Sequence, residues 1–69
     1  MLLNLEAERV RRNMSRHDVA GLLGISYKTY VKYINEESSI PSKLLVKLSD
    51  AFDCTVDYLL GLSERKDAI

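Results

Sequence analysis

The chain holds little of what staples or interrupts a small fold. One cysteine, Cys54, allows no internal disulfide. With a single histidine, His17, it also leaves no cluster at metal-ligand spacing. One proline and three glycines among 69 residues leave little chain for loops. No apolar run approaches the roughly 20 residues that cross a bilayer, so no membrane partner is expected. The Met-Leu-Leu start lacks the charged leader and apolar core of a signal peptide. No nucleophile–base–orienter set, phosphate-cradling glycine loop or matched carboxylate pair can be assembled, so neither catalysis nor a cofactor is expected. The chain therefore reads as one soluble, cytoplasmic domain held by apolar packing. A chain this short buries only about 60% of its extended surface, so a partner subunit would help.

What is present is helical periodicity throughout, with no alternating strand pattern. Asn4 is expected to cap a first helix whose apolar face carries Leu3, Ala7, Val10 and Met14, with Arg9, Arg11 and Arg12 pointing elsewhere. Ser15 and Asp18 form a capping-box pair for a second helix with Val19, Leu22 and Leu23 buried and Gly24 as its stop. Ser26 caps a third, Tyr27 to about Asn35. Glu36 to Ser39 form a polar connection. Pro41 presets a fourth helix, Ser42 to about Phe52, with Leu44, Leu45, Leu48 and Phe52 inward. Thr55 caps a short fifth helix bearing Val56, Leu59 and Leu60 and closed by Gly61. Residues 1–62 form the domain and 63–69 a tail.

Charge is neutral overall but unevenly placed. Residues 1–32 carry six basic against three acidic side chains, and residues 33–69 four against seven. The stretch GLLGISYKTYVKY concentrates the question. Three of the four tyrosines, Tyr27, Tyr30 and Tyr33, recur every third residue with Lys28 and Lys32 between them. They form either a basic aromatic surface or a core face that the lysines keep soluble. Tyr30, Tyr33 and Ile34 share one helical face, while Lys28, Val31, Lys32 and Asn35 share nearly the opposite one. Tyr30 and Tyr33 are therefore expected inside, Tyr27 at the margin, and the lysines out. His17 reads as a surface residue and Cys54 as a buried thiol.

Arg16 to Asn35 resembles the helix-turn-helix of phage repressors and Cro-like regulators, the xenobiotic-response-element type. Ala20 stands at the small-residue position and Gly24 at the turn. Val19, Leu23, Ile25, Tyr30 and Tyr33 fall on buried positions. The likeness extends to Asn4-Leu5, Ala7-Glu8-Arg9, Pro41 through Leu48, and Val56 through Gly61. It implies an all-α, five-helix, lambda-repressor-like DNA-binding domain whose second and third helices form the helix-turn-helix.

By that resemblance Arg16 would rest on a phosphate at a helix N-terminus. Lys28, Val31, Lys32 and Asn35 would face the major groove, with Ser26 and Tyr27 at its mouth. The implied partner is a double-stranded operator bound by a homodimer, with apolar Leu59, Leu60, Leu62 and Ile69 as candidates for the dimer contact. Some positions depart from the family. Ile34 stands where a glutamate commonly pairs the arginine matching Arg9. Asn13 replaces a glycine. Glu36 and Glu37 lie where the loop usually approaches phosphates. The cancelled charge and those glutamates favour an alternative, the same fold as a protein-interaction module such as an antirepressor or antitoxin.

Overall fold

Side-chain chemistry explains most of the helix boundaries in the computed structural model, which describes residues 1–66. The five helices are α1 (Leu3–Arg11), α2 (Arg16–Leu23), α3 (Tyr27–Ile34), α4 (Ser42–Phe52) and α5 (Val56–Leu59). Ser15 opens α2 as half of a reciprocal box. Its hydroxyl accepts from the Asp18 N–H at 3.0 Å, and its own N–H donates to the Asp18 carboxylate at 2.8 Å. Ser26 and Thr55 accept from the N–H groups of Thr29 and Tyr58, each at 3.1 Å. Gly24 ends α2 at φ +70°, a left-handed conformation that costs glycine nothing. Asn13 takes the same region at φ +55°, as its tolerant side chain permits. No helix among the described residues is long and apolar enough to cross a membrane.

The core is built from Leu5 of α1, Val19, Ala20 and Leu23 of α2, Tyr30 and Ile34 of α3, Leu48 and Phe52 of α4, and Tyr58 and Leu59 of α5. Cys54 is buried among them and its thiol donates to the Phe52 carbonyl at 3.1 Å. Burial, with the charge of Glu8 nearby, pushes that thiol's pKa up.

The first helix corrects the sequence reading in two ways. Asn4 lies inside α1 rather than capping it, and its amide donates to the Tyr58 carbonyl at 2.8 Å. The stripe of Leu3, Ala7 and Val10 faces outward, with Leu3 68% and Val10 58% exposed. The buried face carries Leu5, Glu6 and Glu8 instead. Carboxylates enter a core only when charge and hydrogen bonds compensate for lost water, and both are compensated. Arg9 and Arg12 turn toward these carboxylates, not away from them. Glu8, 1% exposed, accepts from Arg12 at 2.6 Å and from the Tyr58 hydroxyl at 3.0 Å, with Lys66 at 3.1 Å and Arg11 at 3.4 Å. Burial alone would raise its pKa. The bonds from Arg12, Lys66 and Tyr58 outweigh burial and hold it at about 2. Arg12 also donates to the Phe52 carbonyl at 2.6 Å and lies over the Phe52 ring, tying α1 to α4.

Residues past Gly61 fold back on the domain. The Thr55 N–H donates to the Lys66 carbonyl at 2.9 Å, and Lys66 reaches Glu8. The end of the expected tail, with Ile69, lies outside the described residues.

Candidate nucleic-acid interface

The turn between α2 and α3 is three residues, Gly24 to Ser26, and it sets the two helices against each other around Ala20, Ile25 and Tyr30. Ala20 is buried, where a larger side chain would hold the helices apart. The Ile25 N–H donates to the Ala20 carbonyl at 3.0 Å, closing the C-terminus of α2. Tyr30 enters ring first, 1% exposed, and its hydroxyl donates to Glu6 at 3.0 Å. Glu6 also accepts from Arg9 of α1 and Arg16 of α2, each at 2.8 Å. Burial works to raise the Glu6 pKa, but the bonds from Arg9, Arg16 and Tyr30 prevail and lower it. The same burial and the adjacent carboxylate push the Tyr30 phenol up. One carboxylate therefore joins α1, α2 and α3.

With the phenol of Tyr30 directed inward, the opposite side of α3 is left to polar groups. Lys28, Lys32 and Asn35 are exposed and Val31 is half-buried. Tyr27 is 42% exposed, at the margin as its first-turn position implies. Tyr33 is partly buried against the core. Among the described residues neither lysine takes part in an ion pair, whereas Arg9, Arg11, Arg12 and Arg16 all do. Lys28 and Lys32 thus present exposed positive charge along the outer side of α3, and Lys43 and Lys47 of α4 are exposed as well.

The remaining candidates fall near this stripe with different freedom. Ser26 has its hydroxyl committed to the cap and to Thr29 Oγ1 at 2.9 Å. Arg16 occupies the first position of α2, but its Nε and Nη2 contact Glu6, which raises its pKa further. His17, from the next position, stacks on Tyr27 with ring centroids 4.2 Å apart and planes 15° apart. That stack braces Tyr27 from α2, and no helical periodicity signals it, since the two rings lie ten positions apart on different helices. Glu36 pairs with the Met1 amino group at 2.8 Å. The inward turn of Glu6 and Glu8 did leave a signal: Glu6–Arg9 at i,i+3 and Glu8–Arg12 at i,i+4 are intrahelical pairing distances.

A short glycine-turned pair of capped helices, with the second presenting a basic stripe, defines a helix-turn-helix protein. Residues 5–59 match the helix-turn-helix family, and the chain belongs to it, in the Cro/C1-type branch. It is similar to the HTH-type transcriptional regulator AnsR of Bacillus subtilis (strain 168), with 38% identity over 58 residues. That match covers 84% of this chain and 50% of the relative, so the chain spans about half the relative's length. No solved structure matches the chain.

Proposed function

We propose that the chain is a sequence-specific double-stranded DNA-binding transcriptional regulator, a repressor or Cro-like autoregulator, that inserts α3 in the major groove. The observation that carries this reading is the pair of exposed lysines on α3, in no ion pair among the described residues, with Val31 and Asn35 in the same stripe. Lysine donates to guanine O6 and N7 or to phosphate. Asn35 suits adenine or a phosphate, and Val31 a thymine methyl. Ser26 and Tyr27 stand at the mouth of the groove. Arg16 adds a phosphate contact through the part of its guanidinium that Glu6 leaves unengaged. Family membership and the name of the relative support the same reading.

Three or four base contacts, at about 1–3 kcal/mol each, do not single out one genomic site. A homodimer reading two half-sites roughly 34 Å apart would double the discrimination. Leu62, 75% exposed, and Leu3, which lines a groove with Leu60 and Gly61, are apolar groups near the C-terminal end that could serve that contact. Leu59 is buried in the core and contributes nothing to it.

The test is a titration of duplex DNA carrying a selected site at several salt concentrations. Binding should weaken steeply with salt, and Lys28→Ala with Lys32→Ala should cut the log–log slope by about one per lysine. Weak binding that the double variant leaves unchanged would refute the groove assignment and favour the protein-interaction reading.

A further inference from the structure

The turn after α3 brings Glu37 back beside the basic stripe. Glu36 adopts φ +62°, a left-handed conformation unfavourable to a residue with a side chain, and its carboxylate is held by the Met1 amino group. The Glu37 N–H then donates to the Lys32 carbonyl at 2.9 Å, folding the chain over the last turn of α3. Glu37 thereby lines a shallow slot of about 420 Å³ together with Tyr27, Lys28, Val31 and Lys32. It is exposed, and among the described residues it takes part in no ion pair.

We propose that Glu37 is a specificity-determining residue that accepts a hydrogen bond from the exocyclic amine of a cytosine, while Lys32 donates to the paired guanine. The inference rests on the docking of α3 proposed above. A G·C pair offers two acceptors on guanine and one amine donor on cytosine across its major-groove edge. Lys32 and Glu37, which border the same slot, carry the complementary set, an ammonium donor and a carboxylate acceptor. The carboxylate also rejects. Without an amine to meet, it would lose water beside phosphates with nothing gained, which disfavours duplexes lacking that base pair.

Selection from a random duplex pool with the wild type, Glu37→Ala and Glu37→Gln tests this, followed by titration of the enriched duplex and its single-pair variants. Circular dichroism of each variant confirms the fold, which an exposed position should not disturb. The wild type should enrich a site with one strongly preferred G·C pair. Glu37→Ala should lose that preference and bind the enriched duplex roughly 5- to 150-fold more weakly. Glu37→Gln, whose amide both donates and accepts, should move the preference at that position toward A·T. An unchanged preference in both variants would overturn the role of Glu37 and leave the docking of α3 standing. So would tighter binding of every duplex by a common factor, since the carboxylate would then only repel. Failure of the wild type to enrich any site would instead overturn the docking, and this inference with it.

Discussion

Replacing Glu8 with alanine should cost this protein much of its stability. The carboxylate is buried and touches three cations, and it is the acceptor for the buried Tyr58 hydroxyl. Breaking a buried ion pair by removing one partner typically costs about 3–5 kcal/mol. Two opposing corrections apply. Arg12 and Lys66 have side-chain exposures of 32% and 37%, so water takes up part of their lost interaction. Tyr58 is buried and gains no new acceptor, which adds about 1–3 kcal/mol. The net remains about 3–5 kcal/mol. At about 0.05–0.15 kcal/mol per residue, a domain of this length holds only roughly 3–10 kcal/mol in all. Urea unfolding followed by circular dichroism measures the difference. With a slope near 1 kcal/mol/M, the midpoint should fall by roughly 3–5 M, or the variant should already be unfolded in buffer. A loss below about 1 kcal/mol, the worth of an exposed pair, would refute the buried network as a structural element.

The same carboxylate sets an acid limit. Glu8 is held at about 2 against an ordinary value of 4.5, so its stabilisation is complete above that ordinary value and fades as pH falls toward about 2. Thermal melts between about pH 5 and pH 2 should show that decline, and it should be shallower in Glu8→Gln. Tyr30→Phe removes one of the bonds to Glu6 and should cost about 1 kcal/mol by urea unfolding, with the fold retained. Ser26→Ala removes the cap of α3 and should also cost about 1 kcal/mol. Gly24→Ala places a side chain at φ +70° and should cost about 1–2 kcal/mol, read in the same assay.

Helices α2 to α5 were legible because their signals are local. Serine and threonine caps, a glycine stop and a proline start each act within a few residues, and each lies where the spacing puts it. The inward Tyr30 and outward Lys28 and Lys32 follow from the three-and-four spacing of α3. The buried face of α1 was not legible by the same rule. Hydrophobic periodicity assumes that charged residues seek water, and beyond the neighbouring Arg9, Arg11 and Arg12 the partners that bring Glu6 and Glu8 inside come from other elements. Arg16, Tyr30, Tyr58 and Lys66 lie 10, 24, 50 and 58 positions away. Stretches so distant in the chain give no periodic trace. Lys66 likewise folds back through contacts that its own composition does not announce.

The three-way junction at Glu6 also constrains how this lineage can change. Where the resembling family commonly pairs its first-helix arginine with a glutamate on α3, this chain has Ile34 there, fully buried, and supplies the carboxylate from α1. Loss of Glu6 alone would leave Arg9 with only the Met14 carbonyl and take their acceptor from Arg16 and the buried Tyr30 phenol, whereas neutral replacements made together would strand none. Positions 6, 9, 16, 30 and 34 should therefore co-vary among homologues as a set, with acidic residues trading between 6 and 34, and intermediates holding neither or both should be rare.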